Sequence, residues 1–312
     1  MIRNEISRRE FIKKGLQVGG VGLLASTLGC TGSLQDLFSN SAKEAILAAN
    51  SSIYKVNMET GAVAMVADFM FYYGTTTTVF SLAIKDKNTV LALVLDNMAT
   101  PTTSGLFSVN LDNGTIQTIL NPMWYLATSI AIESDFSILI GETGNLHRLE
   151  LAKLSDTTIA TGLGAGAISG IAIENQYSAY VININTGELY WVNPSYYNTF
   201  FLIPITPAMS TPAKIAIDTT RNSLLISNNA GGGLAQIYRV NKSDYSRLSD
   251  LGNVAAGVHM SIALENNNSV LVGDKAPYNG LYRVDLDTGA SSRVDNGTLT
   301  GFPIMDIAVR FI

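Results

Sequence analysis

Chemistry in this 312-residue chain has to come mainly from oxygen-bearing side chains, because sulfur and imidazole are scarce. Cysteine occurs once, at Cys30, which excludes an internal disulfide and a Cys-rich metal site. The two histidines, His147 and His259, stand 112 residues apart, so no sequence-local His-metal motif exists. Carboxylates and amides recur instead at equivalent places: Asn50, Asp96, Glu142, Asn183, Asn228 and Asp274. Asp96 joins the series once two extra residues in its segment are allowed. Six such side chains around one mouth would suit Ca²⁺ or another divalent cation, which takes about six to eight oxygen ligands, or a polar small ligand. The same residue types also start turns, so turn chemistry competes with a ligand ring at every one of these positions.

Five other residues compete for roles. Asp306 is the sole acid inside a recurring apolar strand pattern, open to metal ligation or to a hydrogen-bonded role in closing the fold. His259 would stand on the same mouth, and its ordinary pKa suits proton transfer near neutrality, but no nucleophile accompanies it. His147 falls in an aromatic column, where packing is expected. Trp124 and Tyr125, placed in a connecting loop, form either a ligand-stacking pair or core filling. The glycine-rich stretches 162–166 and 231–233 do not match a phosphate-cradling motif.

The elements that must position these residues are short strands. A half-buried strand alternating apolar and polar residues returns six times, from Ser52–Asn57 to Gly280–Asp285. Its aromatic column Tyr54, Phe107, His147, Tyr190, Tyr238, Tyr282 advances in steps of 53, 40, 43, 48 and 44 residues, a period that signals a radial or solenoid array. Several copies run into turns such as Leu111-Asp112-Asn113-Gly114, where glycine accepts the positive φ of a tight hairpin. Upstream of each copy lies a strand apolar on both faces, such as Val90–Leu95, expected to be buried on both sides. Upstream again, five copies carry an innermost strand with a small central residue: Ser81-Leu82-Ala83-Ile84, Ser129-Ile130-Ala131-Ile132, Gly170-Ile171-Ala172-Ile173, Lys214-Ile215-Ala216-Ile217 and Ser261-Ile262-Ala263-Leu264.

The first copy lacks that innermost strand, and an unpartnered one, Asp306-Ile307-Ala308-Val309, ends the chain. The two ends complete each other if the array closes. The expectation is an all-β, six-bladed β-propeller over residues 45–312, its C-terminal strand joined to the N-terminal blade, because closure removes exposed edges.

The run Ile215-Ala216-Ile217, Asn222-Ser223-Leu224-Leu225-Ile226, Ile237-Tyr238-Arg239-Val240-Asn241 resembles the NHL-type and gluconolactonase-like six-bladed propellers. The resemblance covers about residues 45–312 as a blade pattern, whereas no blade ends in the Trp-Asp of WD repeats. Gluconolactonase-like members ligate a metal through acidic and amide residues just ahead of the innermost strand's core. Those positions hold Phe80, Thr128, Ser169, Ala213, Met260 and Met305, so that site is not carried over.

The N-terminus reads as an address. Residues 1–29 hold five basic and two acidic side chains; an apolar run from Leu16 to Leu28 follows the basic segment, as in an export signal. Ser7-Arg8-Arg9-Glu10-Phe11-Ile12-Lys13 resembles a twin-arginine signal, which implies the twin-arginine export machinery as a partner. Thr27-Leu28-Gly29-Cys30 resembles a bacterial lipobox, with Thr27 where leucine is usual. That resemblance implies acylation of Cys30 and a membrane anchor, and Thr31 after the cysteine favours an outer over an inner membrane. Residues 30–44 then form the lipidated cysteine and a tether. The remaining body carries 15 basic and 23 acidic residues, a net −8 that repels phosphate backbones and disfavours nucleic acid.

These readings make the chain an exported lipoprotein whose propeller binds an envelope protein or small ligand. The alternative is a metal-dependent, lactonase-like hydrolase holding a divalent cation with Glu142, Asn183, Asn228, Asp274 and Asp306.

Overall fold

A computed structural model describes residues 44–70, 77–97, 102–205, 209–229, 235–253, 259–274 and 279–310. Twenty-four strands lie within them. In chain order they are β1 (Glu44–Ala49), β2 (Ser52–Asn57), β3 (Val63–Asp68), β4 (Thr77–Asp86), β5 (Thr89–Asp96), β6 (Thr103–Asn110), β7 (Ile116–Tyr125) and β8 (Ser129–Ser134). There follow β9 (Ser137–Gly141), β10 (Asn145–Glu150), β11 (Ser155–Thr161), β12 (Ile168–Asn175), β13 (Ser178–Asn183), β14 (Glu188–Val192), β15 (Phe200–Ile203) and β16 (Pro212–Asp218). The last are β17 (Ser223–Asn229), β18 (Ala235–Asn241), β19 (Arg247–Asn253), β20 (His259–Asn266), β21 (Ser269–Asp274), β22 (Gly280–Asp285), β23 (Ser291–Arg293) and β24 (Ile304–Arg310).

They form six four-stranded antiparallel sheets. Five are consecutive meanders, β4–β7 through β20–β23, and the sixth runs β24-β1-β2-β3. In that sheet Leu47 pairs Ile307 and Ile46 pairs Ala308, so strands from the two ends of the propeller complete blade one. Glu44 and Arg310 lock the end of this seam with an ion pair at 2.8 Å. The all-β six-bladed propeller expected from the repeat is the observed fold.

The second strand of each blade is apolar on both faces because each face meets a different neighbour. Ile46 and Ala48 pack into the cluster shared with blade two, through Val90, Ala92 and Val94. Ala45 and Leu47, pointing the other way, pack with Leu271 and Leu281 of blade six. Four more clusters fill the remaining seams, so the core is a ring of six inter-blade layers. Each fully buried aliphatic side chain in such a layer contributes about 1.5–3 kcal/mol relative to exposure.

The third strand's recurring terminal Asn or Asp also has a structural reason. The Oδ1 of Asn57 accepts the backbone N–H of Glu59 and Thr60, Asn110 does so for Asp112 and Asn113, and Asp285 for Asp287 and Thr288. A glycine at positive φ then closes each turn.

Strand direction sorts the ends. Innermost strands begin on one face of the disc, here the upper face, where second strands end. They finish on the lower face, where Glu44 begins β1 and Arg310 ends β24.

Candidate functional site

The first residues of the innermost-strand pattern form one layer around the channel: Ser81, Ser129, Gly170, Lys214, Ser261 and Asp306. Because the layer is shared, a long side chain from one blade can reach across to another. Lys214 of blade five does so. Its Nζ donates to Asp306 Oδ2 of blade one at 3.1 Å and to Ser81 Oγ of blade two at 3.2 Å. Asp306 Oδ2 also accepts from Ser81 Oγ and from the Leu82 backbone N–H, both at 2.8 Å. Ser81 Oγ in turn accepts the Ile130 N–H of blade three at 3.2 Å. The throat is thus crossed by a buried ion pair that ties together four of the six blades, with both side chains about nine-tenths buried. The cation that stands at the Asp306 carboxylate is the Lys214 ammonium. Lys214 had no part in the sequence argument, although the aligned column of first residues contains it.

The six upper-mouth candidates do stand at second-strand ends on one face, but their side chains diverge. Asn183 is fully buried; its Nδ2 donates to the carbonyls of Leu163 and Gly166, and its Oδ1 accepts the N–H of Asn185 and Thr186. Asn228 is also fully buried; its Oδ1 accepts from Ser210 and Thr211 N–H, and its Nδ2 donates to Tyr238 Oη at 3.0 Å. Turn and loop bonding engages both amides. Asp274 is fully buried at the end of β21, its backbone paired with His259 and Gly280. Asp96 is half-buried at the end of β5, opposite Thr77 and Thr103. Asn50 is exposed in a left-handed turn at φ 51° and lines a cavity of about 520 Å³ with Met65, Met70 and Phe302, at the seam of blades one and two. Among the described residues no three His, Cys, Asp or Glu converge as a metal centre requires. His259 opens β20 as expected, its side chain lying outside the described part. Cys30, Arg8 and Arg9 lie outside the described residues as well.

Glu142 belongs to a different device. Its Oε1 accepts the Tyr125 N–H at 2.7 Å, and its Oε2 lies 3.0 Å from His147 Nε2. On the other side of the ring His147 Nδ1 sits 3.3 Å from Asp156 Oδ1, and Asp156 Oδ2 accepts the Trp124 indole N–H at 3.1 Å. His147 therefore does not pack as an aromatic would; it is clamped between two carboxylates at the seam of blades two and three. Burial works to lower its pKa, yet Asp156 and Glu142 outweigh burial and hold it above the ordinary value. Asp156 is held below its ordinary value: burial acts to raise it, and the bonds and charge of His147 with the Trp124 indole prevail. Trp124 is buried on β7 rather than in a loop, while Tyr125 is half-exposed.

At the lower end, the residues after the innermost-strand pattern are Lys85, Glu133, Glu174, Asp218, Glu265 and Arg310. Each acid is paired: Glu133 with Arg148, Glu174 with Lys242, Asp218 with Arg221 and Glu265 with Arg283. Beside the first pair a cavity of about 700 Å³ opens between blades three and four, lined also by Glu150, Asn175, Tyr177 and Ser195.

Comparison with known proteins gives the fold. A chain in the crystal structure of a nidogen/laminin complex superposes with a TM-score of 0.70 at 11% identity, covering 86% of this chain and 98% of that one. TolB from Acinetobacter baumannii superposes with a TM-score of 0.62 at 8% identity, covering 85% of this chain and 66% of that one. A Bacteroides thetaiotaomicron protein of unknown function gives 0.54 at 15% identity, over 69% and 57%. No protein-family model and no curated protein sequence matches.

Proposed function

We propose that this chain is an exported bacterial lipoprotein, anchored through acylated Cys30, whose propeller is a protein-binding module of the cell envelope. The carrying observation is the buried Lys214–Asp306 pair across the throat. With the channel crossed by the protein's own side chains, binding falls to the rims, where the blade-one and blade-two cavity offers Asn50, Met65, Met70 and Phe302. Exposed methionines and an aromatic ring beside amide groups are the adaptable mixture found at protein interfaces. The fold's likeness to a chain crystallised in a protein–protein complex agrees with this use. The signal and lipobox patterns around Arg8, Arg9 and Cys30 support twin-arginine export and the lipid anchor, and Thr31 after the cysteine supports the outer-membrane address.

Two measurements test the reading. Labelled palmitate should enter the wild-type protein in a host that processes such signals and be absent from Cys30→Ala; equal labelling of both rejects the anchor. A photo-crosslinking residue at Met70 should give a discrete protein adduct in intact envelopes, while the same residue on the outer strand at Leu248 gives none. Identical adduct patterns would reject the rim as the binding surface.

A further inference from the structure

We infer that the lower face of the disc, at blades three and four, is a docking surface for a zwitterionic lipid bilayer. The inference rests on the lipoprotein reading above and adds to it which face meets the membrane. Strand direction supplies the first observation. Glu44 begins β1 on the lower face, so a tether from Cys30 delivers the acyl chains to that side. Glu44 follows Cys30 by only 14 positions, a length of chain that spans at most about 50 Å even when fully extended, which keeps that face near the bilayer.

The second observation is the distribution of exposed apolar side chains. Phe136 (69% exposed), Leu154 (44%), Tyr177 (51%), Tyr196 (61%) and Tyr197 (68%) all stand on lower-face turns of blades three and four. The other blades present Glu59, Lys87, Asp112, Asp244, Asn267 and Asp287 at their exposed lower tips. Tyrosine and phenylalanine tips suit the depth of a membrane interface, where an apolar ring sits among acyl carbons and a hydroxyl stays wet.

These tips are also held in place. Asn198, at φ 51°, ends the Tyr196–Tyr197 turn; its N–H donates to the Ile159 carbonyl and its Oδ1 accepts the Thr161 N–H, both at 2.8 Å. The turn of blade four is thereby fastened to blade three. Arg148 reinforces the junction by donating to the Pro194 carbonyl at 2.8 Å. Little ordering remains to be done on docking, so less of the contact energy is lost to it.

Charge selects the kind of lipid. In the cavity among these tips Arg148 is taken up by Glu133 and the Pro194 carbonyl, which leaves the acid Glu150 to face a headgroup ammonium. The body's excess of acids disfavours an anionic surface. A zwitterionic bilayer satisfies both.

The test uses the full-length acylated protein in phosphatidylcholine vesicles. Single cysteines replace Phe136, Tyr197 or, on the upper face, Tyr125, and each carries an environment-sensitive fluorophore; acylated Cys30 does not compete for the label. Labels at 136 and 197 should shift to the blue and be quenched by lipid-borne nitroxides, while that at 125 stays water-like. Added anionic lipid should not strengthen the effect. Water-like emission at 136 and 197, quenching at 125, or burial of 136 and 197 only after envelope proteins are added overturns the proposal, the last result in favour of a protein partner. Mass analysis of Cys30 in the same sample judges the anchor separately. Cys30→Ala protein should still float with vesicles, and lose that association in the Tyr177→Ser, Tyr196→Ser, Tyr197→Ser variant; equal flotation of both overturns the surface irrespective of the anchor.

Discussion

Lys214 Nζ and Asp306 Oδ2 meet at 3.1 Å across the channel, from blade five to blade one. The two residues are 92 positions apart and occupy the same place in the innermost-strand pattern. Breaking such a pair from one side leaves a buried charge without its counter-ion, which typically costs about 3–5 kcal/mol. Lys214→Met should therefore unfold at lower denaturant, whereas Lys214→Met with Asp306→Leu should recover much of the loss. Urea unfolding of the two single variants and the double completes the cycle; additive losses would show that the pair is not coupled.

Closure of the ring gives a second expectation. Removing residues 304–312 exposes both the edge of β1 and the apolar layer of Ala45, Leu47, Leu271 and Leu281. An unpaired apolar edge is a template for association, so the truncated protein should form soluble oligomers or precipitate. Light scattering and thermal melting read this, and a monomer with unchanged melting would contradict closure.

The reach of sequence reasoning follows from which interactions are local. Strand order and closure were readable because the two-faced apolarity of Val90–Leu95 and its equivalents is a property of each segment. The complementary ends, Ala45 without an inner strand and Ile307 without a partner, could be matched by counting. At the upper mouth the sequence leaves turn chemistry and a ligand ring both open, since Asn183 and Asn228 look the same in either role and only their burial and bonds show them holding backbone groups. Lys214 was missed because its partner is distant in sequence and an exposed lysine is the ordinary expectation; comparing charges down the aligned column, Lys214 against Asp306, is the signal that finds it. His147 was read as packing because its neighbours in the column are aromatic, while its carboxylates come from a strand end and the adjacent outer strand.

Gly114 supplies a third expectation, about blade contact. It lies at φ 72°, and a Cβ there would stand 2.2 Å from the backbone carbonyl of Val66 in the neighbouring blade. Gly114→Ala thus combines left-handed strain with a clash against backbone, and should destabilise by about 2–4 kcal/mol. Gly297 is the control, with φ 79° and its nearest atom 4.0 Å away, so Gly297→Ala should show only the conformational part, roughly 1 kcal/mol. Equal losses in the two variants would remove the inter-blade contact from the account.

The Glu142–His147–Asp156 clamp predicts how stability depends on pH. His147 has a folded pKa above its reference of 6.5, so the folded state binds the proton more tightly than the unfolded chain. Its contribution is fully present below pH 6.5 and is lost as pH rises through the raised folded value. Asp156 has a folded pKa below its reference of 3.8, so its contribution is present above that pH and lost as pH falls through the depressed value. The clamp is therefore strongest between the two references, where imidazolium and carboxylates coexist. His147→Gln keeps a hydrogen-bonding side chain but no titratable charge. The stability gap between wild type and this variant should be widest near about pH 5 and narrow on the alkaline side of neutrality. Denaturant unfolding at a series of pH values measures that gap, and a gap independent of pH from acid to alkaline conditions would mean the ring is held neutral. Because Glu142 also accepts the Tyr125 N–H and Asp156 the Trp124 indole N–H, the loss should fall on the blade-two to blade-three seam. Hydrogen exchange at Trp124 and Tyr125 should accordingly quicken with rising pH in the wild type and show no such dependence, beyond the intrinsic one, in His147→Gln.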